Sequence, residues 1–102
     1  RGDLVRAGQD GKPSIIPPGV GTPRSDFGWE ITPDVLRWGT QYLFERYQKP
    51  IIITENGMSN ADWLDVTGRV QDPQRIDYIA RHLRALRTAM DDDIPVMGYF
   101  HW

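Results

Sequence analysis

The spacing of apolar residues changes several times along the chain, and each change marks an element. Residues 6–28 hold no sustained period. Gly8, Gly11, Pro13, Pro17, Pro18, Gly19, Gly21, Pro23 and Gly28 interrupt every run, so the segment reads as a long loop with Ile15-Ile16 and Val20 as short extended pieces at most. A loop of that length inside a domain is uncommon and is often functional. From Thr32 a helical stripe emerges in Val35, Leu36, Gly39, Tyr42, Leu43 and Tyr47. Thr32-Pro33-Asp34 offers a hydroxyl cap, a proline at the first position and an acid at the positive end of the helix dipole, which predicts a helix over 33–47. Lys49-Pro50 ends it, because the residue before a proline avoids the helical region. Ile51-Ile52-Ile53-Thr54 is a β-branched run suited to a strand covered on both faces, and Glu55-Asn56-Gly57 closes it. Residues 58–71 are again irregular. Asp72-Pro73 repeats the cap-plus-proline signal, and Ile76, Ile79, Ala80, Leu83, Leu86 and Met90 predict a second helix over 73–90, with Asp77 and Arg81 paired on its wet side. After Pro95, Val96–Phe100 reads as a second buried strand.

Helix, strand, long loop, helix, strand is the rhythm of a right-handed parallel α/β unit. Two parallel strands and two helices cannot close a core, since a parallel sheet needs both faces covered and a (β/α)₈ barrel takes about 250 residues. The 102 residues are therefore expected to form an incomplete α/β domain, a part of a barrel. Both ends, Arg1-Gly2-Asp3-Leu4 and Tyr99-Phe100-His101-Trp102, are expected to continue into a longer polypeptide.

Composition narrows the partners. With 12 Lys+Arg against 14 Asp+Glu the formal charge is −2, which offers no basic patch for nucleic acid or an anionic membrane surface. The longest aliphatic run is Ile51-Ile52-Ile53, far below the roughly 20 apolar residues a membrane helix needs. Absence of cysteine removes disulfides and thiolate metal sites and mildly favours a reducing compartment, so the expectation is cytoplasmic.

In parallel α/β folds, sites form at the carboxyl ends of strands. That rim holds Glu55, Asn56, the 58–71 loop, His101 and Trp102. Asp91-Asp92-Asp93 lies on the opposite rim and reads as a solvated turn rather than a metal site. By strict alternation, a Glu55 that points into a barrel takes Ile51 and Ile53 with it and leaves Ile52 and Thr54 on the helix side. Trp102, Phe100 and Gly98 share one face of the second strand, with His101 and Tyr99 on the other. A carboxylate beside an indole suits sugar chemistry: the ring's C–H face stacks on the aromatic while the carboxylate stabilises an oxocarbenium-like transition state. Spacing alone leaves three readings of Glu55 open, a solvated strand end, a helix-start acid or a catalyst. No metal is expected: His82 lies beside the apolar stripe in a packed or capping role, and His101 has no partner at ligand spacing. Gly19-Val20-Gly21 lacks the strand-to-helix setting of a phosphate loop.

Several ordered motifs now resemble one family. Ile52-Ile53-Thr54-Glu55-Asn56-Gly57 is similar to the Ile/Val-Thr-Glu-Asn-Gly signature of glycoside hydrolase family 1, the β-glucosidase and β-galactosidase family. Asp26-Phe27-Gly28-Trp29-Glu30-Ile31 with Pro33 resembles the segment before its sixth barrel helix. Asp72, Arg75-Ile76, Tyr78 and His82-Leu83 resemble its seventh helix, and Gly98-Tyr99-Phe100 with Trp102 its eighth strand. The resemblance implies a partial (β/α)₈ barrel running from about the sixth loop through the eighth strand, with 1–102 the C-terminal portion of one incomplete domain. It implies a retaining β-glycosidase without cofactor, acting on a β-linked glucoside or related saccharide. Glu55 takes the role of nucleophile, and Trp102 that of a sugar contact. The 58–68 loop corresponds to the border of the aglycone entrance. Asp93 stands where the family usually has Gly, a tolerable departure because Asp enters the left-handed region more readily than most residues.

The family's acid/base glutamate belongs to an Asn-Glu-Pro motif that this chain lacks. Its Asn-Tyr-Tyr segment would precede Arg1, and its Phe-Glu-Trp segment would follow Trp102. Retaining hydrolysis needs two carboxyl groups about 5 to 5.5 Å apart, one to attack and one to protonate the leaving oxygen. Glu55 supplies only the attack, so the chain by itself is expected to be inactive and to need the remainder of the barrel as partner. The alternative expectation is a non-catalytic carbohydrate-binding or structural barrel piece.

Overall fold

In a computed structural model of the chain, residues 5–8, 10–15 and 19–102 are described. The first element corrects the expectation of a continuous loop over 6–28. β1 (Val5–Ala7) and β2 (Pro13–Ile15) pair antiparallel, with Val5 opposite Ile15 and Ala7 opposite Pro13. Asp10-Gly11 turns the chain between them: Gly11 takes φ +75, its N–H reaches the Gly8 carbonyl at 3.0 Å, and the Asp10 carboxylate accepts the Lys12 N–H at 3.1 Å. Asp-Gly is a strong hairpin signal, but strands of three residues leave no alternation to announce it. Ile16 lies outside the described residues, and Val20 sits in an exposed turn. Residues 23–31 fold back on themselves through Ser25 N–H to Trp29 O (2.9 Å), Ile31 N–H to Pro23 O (2.8 Å) and an Arg24–Glu30 bridge.

α1 (Val35–Tyr47) begins two residues later than Pro33. Thr32 and Pro33 offer their carbonyls, at 3.1 Å each, to the Val35 and Leu36 N–H groups, so a tight turn rather than a hydroxyl cap leads in, and Asp34 makes no side-chain cap bond. Left-handed Gln48 closes the helix by donating its N–H to Phe44 O at 2.8 Å. α2 (Pro73–Asp91) starts where expected, but Asp72, its N-cap residue, makes no side-chain cap bond: at φ 56 it turns its carboxylate to Arg75, 2.6 Å away. The exposed Asp77–Arg81 pair forms at 2.9 Å.

β3 (Ile51–Asn56) and β4 (Val96–His101) lie side by side and parallel, so both strands extend beyond their predicted ends and take in Glu55, Asn56 and His101. The register pairs Ile51 with Val96, Ile52 with Gly98, Ile53 with Tyr99 and Asn56 with His101. It slips twice, leaving one extra residue on β4 at Met97 and one on β3 across Thr54-Glu55. Leu36 of α1 and Ala85 and Leu86 of α2 form the core, with Ile53, Val96 and Tyr99 of the sheet packed against them. Both helices thus cover one face. On the other face Ile52 and Phe100 stay 51% and 62% exposed, and Gly98 lies between them, its would-be Cβ 3.7 Å from the Ile52 side chain.

Of the predicted apolar stripes only Leu36 and Leu86 are buried. α1 buries Leu36 and Thr40, while Val35, Tyr42, Leu43 and Tyr47 are exposed. α2 buries Tyr78, His82, Ala85, Leu86 and Ala89, while Ile76, Leu83 and Met90 are exposed. Small residues allow close approach to the sheet, and Thr40 satisfies its hydroxyl by donating to Leu36 O at 2.7 Å. The uncovered aliphatic positions leave the chain a slab of 50 × 41 × 21 Å. Its radius of gyration of 16.5 Å exceeds the about 13 Å expected of a closed domain of this length. Among the described residues no helix is long and apolar enough to cross a membrane.

Candidate active site

Glu55 stands at the carboxyl end of β3, exposed, next to the carboxyl end of β4. The way it gets there corrects strict alternation. Ile53 packs into the helix layer, whereas Ile52 lies on the open face, the reverse of the assignment in which Glu55 and Ile53 share a side. An unbroken strand would then send Glu55 into the helix layer with Ile53. The extra residue across Thr54-Glu55 breaks that parity: Thr54 and Glu55 are both exposed, and Asn56 is the next residue to face the helices.

Asn56 joins the two strand ends. Its Nδ2 donates to the Tyr78 hydroxyl of α2 at 3.2 Å, and its Oδ1 accepts from the Tyr99 hydroxyl of β4 at 2.8 Å. Its backbone carbonyl accepts the Trp102 N–H at 2.8 Å and lies 3.1 Å from His101 Nδ1. Burial raises the pKa of both tyrosines, so both hydroxyls keep their protons at neutral pH. Gly57 follows, and a Cβ built there would overlap the Trp102 carbonyl.

Trp102 stacks on Trp29 at 6.0 Å and 22°, and Trp29 meets Phe27 edge-on at 5.8 Å. Glu55 and Trp102 therefore occupy neighbouring strand ends, but the indole is held by the 23–31 segment. One concavity of about 140 Å³ is walled by residues 60–74, and another of about 360 Å³ lies between Arg24, Ser25, Met58 and Tyr78. Neither is lined by Glu55 or Trp102. Trp29, Tyr78 and Tyr99 stand in the sequence only as members of the quoted motifs, and the contacts that give them a part at the site come from the structure.

The 58–72 loop is tied down from two points. Arg75 donates to Met58 O at 3.3 Å and pairs with Asp62 and Asp72 at 3.2 and 2.6 Å, which hold its proton more tightly than usual. Asp65 accepts the Thr67 hydroxyl, the Arg69 N–H and the Gln71 amide, which hold its carboxyl well below the ordinary carboxylate range. Ser59 Oγ accepts the Phe27 N–H at 3.1 Å, and Asp26 accepts the Ala61 N–H, joining this loop to the aromatic segment. Asp92 pairs with Arg37 at 3.2 Å on the opposite rim, and Asp93 sits at φ +66. Among the described residues no group of three His, Cys, Asp or Glu could hold a metal ion.

His82 is 2% exposed and stacks on Tyr78 at 3.8 Å. Its Nδ1 lies 2.8 Å from the Tyr78 carbonyl, which can only accept, so Nδ1 carries the proton of a neutral ring. Burial pushes its pKa below the ordinary 6.5. A depressed folded value stabilises the fold above the unfolded pKa, and that contribution is lost as pH falls through the folded value. Denaturant midpoints are therefore expected to drop on acidification below about 6.5, and His82→Gln is expected to flatten that slope. An unchanged slope in the variant would assign the acid sensitivity to other groups.

The chain belongs to glycosyl hydrolase family 1, whose profile matches residues 9–102. Among its relatives, it is 39% identical over 105 residues to aryl-phospho-β-D-glucosidase BglA of Bacillus subtilis, covering 99% of this chain and 20% of that protein. It is 42% identical over 78 residues to 6-phospho-β-glucosidase AscB of Escherichia coli, covering 76% of this chain and 16% of that one. The β-glucosidase of Thermotoga maritima, solved with castanospermine, superposes with a TM-score of 0.87 at 35% identity over 98% of this chain and 22% of its own. The chain thus spans about a fifth of the length of the proteins it matches, and its architecture is a partial (β/α)₈ barrel.

Proposed function

We propose that this chain is the nucleophile-bearing part of a retaining β-glycosidase, with Glu55 attacking the anomeric carbon and Trp102 contacting the sugar. The observation that carries the reading is an exposed carboxylate at the carboxyl end of a parallel strand, turned out of the helix layer by the extra residue beside it. Just beyond the end of the neighbouring strand stands the Trp102 indole, the surface a sugar's C–H face prefers. The substrate class is a β-D-glucoside or its 6-phosphate, the two classes named for its relatives.

The Glu55 carboxylate oxygen bonds C1 while the C1–O bond to the aglycone breaks. The acid that protonates the departing oxygen comes from the rest of the barrel, and water later releases the sugar. Left alone, the 102-residue chain would have to expel an unprotonated alkoxide, so it is expected to show no turnover of an alkyl β-glucoside.

The test uses a 2-deoxy-2-fluoro-β-glucoside with a dinitrophenolate leaving group, and its 6-phosphate, on a barrel completed by joining this segment to the remaining strands. The dinitrophenolate leaves with the bonding electrons without needing a proton, and the sugar stays on the enzyme as an ester. Peptide mass mapping is expected to place the label on Glu55. A folded, saccharide-binding barrel that takes no label from either probe would instead support a non-catalytic binding piece.

A further inference from the structure

Asn56 is the point at which three separate segments meet. Tyr78 comes from α2, Tyr99 from the core-facing side of β4, and Trp102 from beyond the end of that strand. The two hydroxyls take both ends of the Asn56 amide, and the backbone carbonyl takes the Trp102 N–H. Tyr78 is itself held, 9% exposed and stacked on the buried His82. A polar pair of this kind on the helix side of a sheet needs a reason, because an apolar side chain would fill the same space without hydrogen bonds to satisfy.

The register supplies the reason. Ile53 and Asn56 both face the helices although they are three residues apart, so one residue between them is surplus to the pleat. A one-residue slip would remove the surplus and reverse the faces of the residues that follow. In the slipped strand Glu55 would enter the helix layer, and Asn56 would leave its two tyrosines. The amide clamp opposes that slip, since only the observed register presents an amide to both hydroxyls.

We propose that Asn56 is a positioning residue: its amide, held between the Tyr78 and Tyr99 hydroxyls, keeps the surplus residue of β3 in place and so aims the Glu55 carboxylate at the open face. The inference rests on the reading of Glu55 as the nucleophile, and the experiment separates the two.

In the completed barrel, Asn56→Ala is expected to slow labelling by the fluoro-sugar about 10²-fold, the effect of misplacing a reacting group by around an ångström, with KM for a dinitrophenyl glucoside changed far less. Asn56→Asp keeps the shape and can accept both tyrosine hydroxyls, so it should recover most of the rate. Its added negative charge beside Glu55 should move the acid limb of the kcat/KM profile upward by about one pH unit. That shift reports only the closeness of the two carboxylates, whereas the recovered labelling rate reports the clamp. Tyr78→Phe and Tyr99→Phe each remove one hydroxyl and keep the ring; each is expected to slow labelling measurably, and they serve if Asn56→Ala does not fold. Wild-type labelling rates in the alanine variant or in both phenylalanine variants overturn the proposal, as does an aspartate variant that labels no faster than the alanine variant. Glu55→Gln is run alongside. If it still labels, the nucleophile reading has failed; if it does not while the Asn56 and tyrosine variants label at the wild-type rate, the clamp alone has failed.

Discussion

Glu55→Gln in the completed barrel is expected to abolish both fluoro-sugar labelling and turnover, with kcat reduced roughly 10⁴- to 10⁶-fold, the range seen when a group essential to covalent catalysis is removed. Glutamine keeps the size and the carbonyl oxygen of glutamate but carries no charge and cannot form the glycosyl ester. Glu55 is exposed in this chain, so the substitution disturbs no buried contact among the described residues. Because glutamine also keeps the volume, the denaturant midpoint of the completed barrel is expected to change little and is measured alongside. Glu55→Ala with added azide gives an independent reading: the small anion can enter the space left by the shortened side chain and attack C1 of a dinitrophenyl glucoside directly, which would restore turnover and yield a glycosyl azide of inverted configuration. A variant that keeps more than a hundredth of the original rate, with label on another carboxylate, would move the nucleophile elsewhere.

Gly57→Ala should also be damaging, for a steric reason. The added methyl would overlap the Trp102 carbonyl, and the obstacle is backbone rather than the flexible end of a side chain. Trp102 would have to retreat, which breaks its N–H bond to Asn56 O at 2.8 Å and pulls the indole from its stack on Trp29. Overpacking of this kind typically costs about 1–3 kcal/mol, and displacement of the sugar-contacting end should lower kcat/KM on the order of 10²-fold. Thermal unfolding and kinetics on the same preparation check both. Tryptophan emission should shift as Trp102 becomes more exposed. A variant with wild-type midpoint and kcat/KM would show that the two strand ends can part without consequence.

How much of this was legible in the sequence varied with how local the cause was. Pro50 and Pro73 set helix limits because proline acts on its own neighbours, and the end of α1 and the start of α2 fall where those residues place them. The parallel pairing followed from the order of elements. The β1–β2 hairpin was concealed because its turn signal, Asp10-Gly11, stands among so many other glycines and prolines. Caps were misread at Thr32 and Asp72: the Thr32 carbonyl, not its hydroxyl, receives the helix N–H, and Arg75 draws the Asp72 carboxylate away.

The buried faces of the helices were the larger miss. Periodicity finds the side of a helix with large apolar residues, and in a closed monomer that side is the core. Here Ala85, Ala89 and Thr40 lie inside while Leu83, Tyr42 and Met90 lie outside. Close packing on a sheet favours small side chains, and a helix in a barrel wall also borders helices on either side, of which this chain supplies one for each, α1 and α2 packing on each other.

From the sequence alone came the element order, the parallel α/β class, the family resemblance and the choice of Glu55 and Trp102, because each depends on which residues stand close together along the chain. Only the tertiary structure decided which way Glu55 faces. That outcome depends on a single surplus residue in β3, held by hydroxyls from Tyr78 and Tyr99, 22 and 43 positions from Asn56. Alternation along a strand is a local rule, whereas the register that overrides it is set by whichever distant groups the folded chain brings to its edge.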